Sequence, residues 1–178
     1  MSKKLIMCEG PNEKKIIELL LTFDKLVFDS ESLIGLVPYH ARQLNSPVIT
    51  PVLNMYQGDI EIMRIGDKQS DKLVIPHELK NRVKNISKYC TKPELEILLI
   101  INEGKYHQFI RSGKSKAKQF AKDNIVYHKR RYDNATSFYD DYYGDRIDCL
   151  VCNIREYKKL KKHSPDELFL ADLLKDGI

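Results

Sequence analysis

The sequence has no apolar run near the roughly 20 residues that a membrane-spanning helix requires. Its longest uninterrupted apolar run covers residues 97–101 and is bounded by Glu96 and Asn102. The apolar stretch near the amino terminus is too short for a signal peptide, because Glu9 ends it. These absences argue against membrane-spanning and secreted proteins, and we expect a cytoplasmic protein without membrane contact.

Cysteine is scarce, since only Cys8, Cys90, Cys149 and Cys152 occur in the chain. Cys149 and Cys152 have C-x-x-C spacing, but no second ligand pair stands at a spacing suited to zinc. No predicted strand precedes them, as a thioredoxin-like pair would need. We therefore expect buried free thiols rather than a zinc or redox site.

Internal repeats and long linkers are also missing. A chain of 178 residues with 42% hydrophobic residues has the size and composition of one globular domain. The pattern divides into an α/β core over residues 1–110 and a helical extension over residues 111–178, packed on the same domain. We expect an α/β fold with a mostly parallel sheet, flanking helices and a helical C-terminal half.

The first half of the chain predicts three strands and a helix. The strands are residues 4–8, 25–28 and 59–65, and the helix covers residues 13–23 with Asn12 as its cap. The first two strands and the helix form a βαβ unit. Residues 32–57 contain three prolines and are read as short helices, one of them around residues 39–44.

The rest of the chain predicts helices. They cover residues 77–88, 91–109, 115–123 and 147–162, and a last one begins at Ser164. Thr91 caps the second of these, with a proline at its start. The aromatic-rich residues 138–143 fit either a protein interface or the core.

Acidic side chains fall where the predicted elements begin or end. Glu9 closes the first strand, Asp67 and Asp71 follow the third, and Glu94 and Glu96 open the helix at 91–109. Ligands of open α/β sheets bind at the carboxyl ends of strands. If the first and third strands are parallel neighbours, Glu9 and Asp67 meet at one edge, where Mg²⁺ is the natural cation to join carboxylates.

Gly10 supports this interpretation, because a glycine after the acid allows the backbone to approach a phosphate. Structural roles compete with it at each acid. Glu9 fits an exposed strand end, and Asp67 and Asp71 fit ordinary turns. Glu94 fits the capping partner of Thr91, and Glu96 fits a solvated helix face.

The stretch from Leu5 to Glu13 resembles the first motif of Toprim domains, in which a hydrophobic strand delivers a Glu-Gly pair followed by a turn and a second acid. The stretch from Pro93 to Leu99 is similar to a helix-opening motif of RloB-like proteins and places the family glutamate at Glu96. The resemblance covers about residues 4–110. It is closest to the OLD and RloB-like prokaryotic defence nucleases.

The resemblance implies a Toprim-like, Rossmann-like fold and a Mg²⁺-dependent nuclease, with Mn²⁺ as an alternative ion. Glu9, Asp67 and Asp71 would hold the metal, Glu96 would support the site, and Lys105 would steady the scissile phosphate. The family's Asp-x-Asp is not intact, because Gln69 stands at its second position and leaves Ser70 or Asp71 as substitutes. The implied partners are DNA or RNA and an ABC- or SMC-type ATPase; a homodimer stays open.

A basic segment follows, with interleaved aromatic residues. Between residues 105 and 131 the only acid is Asp123, and the cations expected to bind nucleic acid are Lys114, Lys116, Lys118, Lys129, Arg130 and Arg131. The competing interpretation is a solvated helix face. The sequence thus favours a defence nuclease, with two alternatives: a catalytically degenerate Toprim-like binding module, or an unrelated interaction domain.

Overall fold

The computed structural model describes residues 2–67, 72–92, 94–113, 116–160 and 166–177. The strands are β1 (Lys3–Cys8), β2 (Tyr39–His40), β3 (Ile60–Gly66), β4 (Val83–Cys90), β5 (Val126–Tyr127), β6 (Arg130–Arg131) and β7 (Leu168–Phe169). The α-helices are α1 (Pro11–Thr22), α2 (Thr50–Met55), α3 (Ile97–Asn102), α4 (Tyr106–Arg111), α5 (Ala117–Asn124), α6 (Thr136–Tyr143) and α7 (Ile147–Leu160). Short 3₁₀ turns cover Ser30–Ser32, Ile34–Leu36, His77–Leu79 and Leu170–Leu173.

Five strands form one sheet in the order β2-β1-β3-β4-β7, and every neighbouring pair is parallel. The predicted α/β architecture with a parallel sheet is therefore confirmed. β1 and β3 are direct neighbours, paired from Lys3 opposite Ile60 to Cys8 opposite Ile65. The prediction that Glu9 and Asp67 meet at one edge required β1 and β3 to be parallel neighbours, and they are.

Apolar side chains cover both faces of the sheet. One face packs Ile6, Met63 and Ile65 against α1, α3 and the helices of the second half of the chain. The opposite face packs Leu5 and Ile62 against α2 and the irregular segments around it. Because α6 and α7 belong to the first cluster, the second half of the chain shares one core with the first.

The strand order creates a switch point between β1 and β3. The chain leaves β1 through α1 to reach β2 on one side, and then returns through α2 to β3 on the other side. In open α/β sheets, the crevice outside the carboxyl ends of two such strands is the usual ligand site. Glu9 and Asp67 follow these two strands.

Two predicted elements of the first half are wrong. Residues 25–28 form no strand of the sheet; Leu26 makes one isolated antiparallel bridge to Leu174. The predicted helix around residues 39–44 is replaced by β2, which pairs with β1. The βαβ unit therefore closes on β2 and not on the apolar segment that directly follows α1.

The predicted helix over residues 77–88 is also wrong, because it contains a 3₁₀ turn followed by β4. The predicted helix over residues 91–109 is broken into α3 and α4 at Gly104, which has φ +65°. This left-handed conformation suits glycine and ends the helix. Where the last helix was expected, the described residues form β7 and a 3₁₀ turn.

The other two helices predicted for the second half of the chain are confirmed. α5 and α7 occupy the predicted segments, and the aromatic-rich stretch forms α6, whose Phe138, Tyr139, Tyr142 and Tyr143 are all buried. Those aromatic residues therefore line the core. Between α5 and α6 a hairpin of β5 and β6, which the sequence did not predict, turns through His128 and Lys129, both with positive φ.

The cysteine prediction holds for two of the four residues. All four are free thiols, but only Cys8 and Cys90 are buried, while Cys149 and Cys152 are exposed on α7. Over the part of the chain that the structure describes, no helix is both long and apolar enough to cross a bilayer.

Candidate active site

A cavity of about 250 Å³ lies at the carboxyl ends of β1 and β3. It is closed by the start of α1, the segment before α3, the start of α5 and the turn before α6. Five carboxylates line it, together with two cations and two asparagines: Glu9, Glu13, Asp67, Glu94, Glu96, Arg42, Lys118, Asn12 and Asn134. Of the five acids that the sequence placed at strand and helix ends, the cavity brings four together, Glu9, Asp67, Glu94 and Glu96, and the fifth, Asp71, lies outside the described residues.

Glu9 is held between β1 and β3. Its backbone N–H donates to the carbonyl of Ile65, and its side chain, 13% exposed, lies over Gly66. A Cβ at residue 66 would stand 2.4 Å from Glu9 Oε2. Arg42 approaches the other carboxylate oxygen at 3.3 Å. Glu9 is therefore a largely buried acid and not the exposed strand end of the competing interpretation.

Glu13 is the acid that the site prediction left out. Gly10 is the N-cap of α1, and the side chain of Glu13 folds back over it, since a Cβ at residue 10 would lie 2.6 Å from Glu13 Oε2. Burial above all, with the nearby charges of Glu96, Asp67 and Glu9, raises the pKa of Glu13 to about 7, although its backbone hydrogen bond opposes the shift. The signal was present in the sequence as the second acid of the Toprim-like motif.

Asp67 follows β3 directly and lines the same cavity. Its charge acts on Glu13 across the cavity. Asp71, the second predicted metal ligand from this turn, lies outside the described residues, as do Ser70 and Gln69. The structure therefore brings one acid of the altered Asp-x-Asp to Glu9.

Glu96 is buried, with 2% of its surface exposed, so a solvated helix face is wrong. Tyr132 donates its hydroxyl hydrogen to Glu96 Oε1 at 2.7 Å, and Lys118 Nζ lies 3.9 Å from the same oxygen. Burial raises the pKa of Glu96, and the hydrogen bond from Tyr132 opposes this. The hydroxyls of Tyr132 and Tyr139 lie 3.1 Å apart, which links Glu96 to the aromatic core.

Asn12 was predicted to cap α1, and this is wrong because Gly10 holds that position. The side chain of Asn12, only 7% exposed, turns into the cavity wall, where its Nδ2 donates to Asn134 Oδ1 at 3.1 Å. Its Oδ1 is buried and has no hydrogen-bond partner among the described residues. Buried amide oxygens are nearly always satisfied, so this one points to a bound donor or cation.

Asn134 reaches Asn12 across 122 positions of sequence, so no local pattern predicts the pair. It adopts φ +68° in the turn before α6, a conformation that asparagine tolerates better than most residues. The dipeptide Asp133-Asn134 is a turn signal in the sequence, but it carries no information about the cavity.

Glu94 stabilises another helix. Its Oε2 accepts the backbone N–H of Lys118 at 2.7 Å, in the first turn of α5. The predicted role as reciprocal cap for Thr91 is wrong, and Thr91 Oγ1 is itself buried without a hydrogen-bond partner among the described residues. Glu94 instead fixes the start of α5 and thereby delivers Lys118 to the cavity.

Lys105 does not lie in the cavity. Its Nζ donates to the carbonyl of Asn124 at 2.6 Å, at the end of α5. The cation of the predicted basic segment that does line the cavity is Lys118. The structure therefore places Lys105 at a helix end, where a cation is favourable.

The other residues predicted to bind nucleic acid differ in their exposure and in their hydrogen-bond and ion-pair partners. Lys116 and Lys129 are exposed, whereas Lys114 lies outside the described residues. Arg130 pairs with Asp133 and Asp141 at 2.9 and 2.7 Å, and Arg131 donates to the carbonyls of Lys122 and Asp123. Arg130 therefore ties the hairpin to α6, and Arg131 ties it to α5.

Mg²⁺ fits the kind of donor that this cavity offers, namely carboxylate oxygens and the orphan amide oxygen of Asn12. Within the described residues, no three acidic, histidine or cysteine side chains are grouped closely enough to hold a metal among them. Mg²⁺ usually keeps several waters and is bound through one or two carboxylates, and Glu9 and Asp67 both line this cavity.

The chain matches no protein-family model, and comparison with curated proteins and with solved structures also finds no match.

Tyr132→Phe is expected to destabilise the protein by roughly 1–3 kcal/mol, because it leaves buried Glu96 without its hydroxyl donor. Urea unfolding of the variant and of wild type measures this difference. Tyr56→Phe is the control, since the Tyr56 hydroxyl donates to the carbonyl of Asp59 at an exposed position. Equal losses in the two variants would contradict a special role for the Tyr132–Glu96 bond.

Proposed function

We propose that the chain is a Toprim-like, Mg²⁺-dependent nuclease that cleaves phosphodiesters of DNA or RNA. The observation that carries the proposal is the meeting of Glu9 and Asp67, from adjacent parallel strands, in one cavity with Glu13, whose pKa the surrounding carboxylates help to raise to about 7. Carboxylates that disfavour one another's ionisation in this way are stabilised by a bound cation.

Each residue has a separate task in this proposal. Glu9 and Asp67 would hold the ion. The Asn12 Oδ1 atom would be a further ligand of the ion, or would accept a hydrogen bond from a water bound to it. When bound, the ion supplies charge to orient a phosphodiester and to activate water. Lys118 lines the cavity with a positive charge for a phosphate; Glu94 fixes its backbone at the start of α5, and the buried Glu96, held by Tyr132, lies 3.9 Å from its Nζ.

The start of α1 adds to the preference for anions. This helix has 12 residues, and its first three, Pro11, Asn12 and Glu13, line the cavity; Pro11 carries no backbone N–H, so Asn12 and Glu13 supply the N–H groups there. The positive end of a helix dipole favours phosphate over a neutral ligand. The site thus combines carboxylates suited to a cation with backbone and lysine groups suited to the phosphate that accompanies it.

A second candidate is a degenerate Toprim-like module that binds nucleic acid or a partner without cutting. It is favoured because, among the described residues, no three acidic, histidine or cysteine side chains are close enough to share one metal ion. This module would bind nucleic acid in a salt-dependent manner after loss of the metal and of Glu9. Both candidates include a role in prokaryotic defence and control by an ATPase partner. These two features come from the resemblance of the sequence motifs alone.

The test is calorimetric titration of Mg²⁺ and of Mn²⁺ into wild type and into Glu9→Gln/Asp67→Asn, with and without a short oligonucleotide. We expect the double variant to lose divalent binding. The matched control is Asp59→Asn/Glu61→Gln, which makes the same charge change at the opposite end of β3, where Asp59 pairs with Lys84 and Glu61 with Lys4. Thermal unfolding shows that each variant is folded.

Cleavage is then assayed on single- and double-stranded DNA and RNA at the metal concentration found by titration. Metal binding lost only in the Glu9/Asp67 variant, with cleavage lost in parallel, supports the nuclease. Metal-independent oligonucleotide binding that both double variants retain would select the binding module. Wild type without divalent binding, even beside oligonucleotide, would contradict the metal site.

A further inference from the structure

The chain leaves the carboxylate cavity at Lys118 and returns to it at Asn134. Between these two residues it forms α5, the hairpin of β5 and β6, and the turn before α6, and we call residues 116–134 the basic arm. Arg131 joins the hairpin to α5, because its guanidinium donates to two carbonyls at the end of that helix. Both ends of the arm therefore lie at the proposed site, and a nucleic-acid strand bound along the arm would reach the cavity.

Three lysines of the arm carry charges that the protein does not neutralise. Lys116 and Lys129 are exposed and Lys122 is partly buried, and none of the three side chains has an ion pair or a hydrogen bond with a described residue. Lys118 adds a fourth cation, 3.9 Å from Glu96 at the edge of the cavity. Lys118 and Lys122 lie four positions apart and hence on one side of α5. The arm thus presents a row of cations that is suited to a polyanion.

The phenylalanine and tyrosine rings of the arm are not available to stack on a base. Phe120 and Tyr132 are buried, with 2% and 1% of their surfaces exposed. The ring of Tyr127 has the guanidinium of Arg146 at 4.4 Å and the ring of His128 at 4.1 Å. Proteins that bind single strands rely on aromatic rings that stack on successive bases. The arm offers cations without such a platform.

The tip of the hairpin carries a lysine in a backbone conformation that favours glycine. A two-residue turn joins Tyr127 to Arg130, and its residues His128 and Lys129 have φ of +45° and +67°. Turns of this kind favour Asn-Gly, because both central residues need positive φ. Backbone strain is concentrated at sites that bind ligands. An exposed lysine at this strained position therefore supports a binding role for the tip.

A surface with cations and no stacking platform prefers the ligand with the densest phosphate charge. Double-stranded DNA carries one charge per roughly 1.7 Å of its axis, and each phosphate contact releases more counterions from a duplex than from a single strand. We propose that the basic arm binds the phosphate backbone of double-stranded nucleic acid, which makes the duplex the substrate class of the site. Cleavage of the bound duplex rests on the proposed nuclease function, whereas its binding does not.

The competing role for these lysines is to keep α5 and the hairpin solvated. Lysines that only solvate the surface can be replaced by glutamine without a change in nucleic-acid binding. A groove for unpaired bases, in turn, would prefer the single strand to the duplex.

The experiment measures binding by fluorescence anisotropy, in the presence of a chelator and at several salt concentrations. The ligands are a dye-labelled strand of about 20 nucleotides and the same strand annealed to its complement, each as DNA and as RNA. We expect wild type to bind a duplex about tenfold more tightly than the single strand. Lys116→Gln/Lys122→Gln/Lys129→Gln is expected to weaken duplex binding by about tenfold or more and to lower the salt slope by about 2 to 3.

Lys80→Gln/Lys84→Gln/Lys159→Gln is the matched control, since it removes three exposed lysines near the start of β4 and on α7. This variant is expected to bind the duplex as wild type does. Lys116→Arg/Lys122→Arg/Lys129→Arg keeps the charges and is expected to retain the binding, which separates the loss of charge from a folding defect. Thermal unfolding shows that each variant is folded.

Tighter or equal binding of the single strand would overturn the duplex as substrate class. Equal losses in the two glutamine variants, or no nucleic-acid binding by wild type, would overturn the arm. Binding of the DNA duplex or of the RNA duplex supports the proposal and identifies the nucleic acid. Because these measurements exclude metal, loss of the metal site in the titrations above leaves them standing, and duplex binding without cleavage would contradict the nuclease but not the arm.

Discussion

Gly66→Ala is expected to lower the affinity for divalent ions by at least tenfold and to destabilise the protein by roughly 1–3 kcal/mol. The new Cβ would lie 2.4 Å from Glu9 Oε2 and 2.7 Å from Glu9 Cβ. The carboxylate can rotate away, but Glu9 Cβ is fixed to the backbone of β1, so the two central strands must separate slightly. Both the position of Glu9 and the β1–β3 pairing are therefore disturbed.

Calorimetry with Mn²⁺ and urea unfolding measure the two effects. Gly10→Ala is the informative comparison, because its Cβ would meet only the carboxylate end of Glu13, at 2.6 Å from Oε2. That variant should move Glu13 at a smaller cost in stability. If Gly66→Ala binds Mn²⁺ as wild type does, the position of Glu9 is irrelevant to the metal, and the proposed centre is wrong.

Glu13→Gln is expected to stabilise the metal-free protein by up to about 3 kcal/mol at pH 8 and to change little near pH 4. The folded chain has a Glu13 pKa of about 7, against 4.5 for an unperturbed glutamate. Between these values the folded chain binds a proton that the unfolded chain has lost. The free energy of unfolding therefore falls as pH rises from about 4.5 to 7, and the full penalty persists above pH 7.

Glutamine cannot ionise, so the variant escapes this penalty. Urea unfolding in the presence of a chelator, at intervals from pH 4 to 8, gives the difference curve. Glu18→Gln is the control on the same helix, where Glu18 pairs with Lys14 and Lys15 on a partly exposed face. Mg²⁺ should shrink the advantage of Glu13→Gln at pH 8. A difference that does not vary with pH would contradict the electrostatic account of Glu13.

The spacing of apolar residues in the sequence predicted the strands and the helix that carry Glu9 and Asp67. The apolar run before Glu9 and the periodicity of α1 required no knowledge of distant residues, and β3 was visible as alternation. These three elements place Glu9 and Asp67 at one edge once β1 and β3 pair. The buried state of Glu96, in contrast, depends on Tyr132, 36 positions further along the chain.

The errors have physical causes that a single sequence hides. β4 carries exposed Lys84 and Asn85 in its first half, so its apolar signal is weak, and it becomes a strand through pairing with β3 and β7. Residues 25–28 have an apolar pattern typical of a strand, but β2 occupies the position beside β1. Lys105 has the charge to bind a phosphate, yet its Nζ donates to the carbonyl of Asn124, and the residue does not line the cavity.

One edge strand of the sheet, β7, comes from a part of the chain far from the central strands in sequence. β7 pairs with β4 through Leu168 and Phe169, and the next residues bind the segment after α1, where Val27 donates to Leu173 and Lys175 donates to Lys25. Contacts of such large sequence separation form late, because a long loop must close first. During synthesis on the ribosome, β1, β3 and β4 therefore precede their final edge strand by many residues. Transient cover for that edge by a chaperone should raise the yield of folded protein.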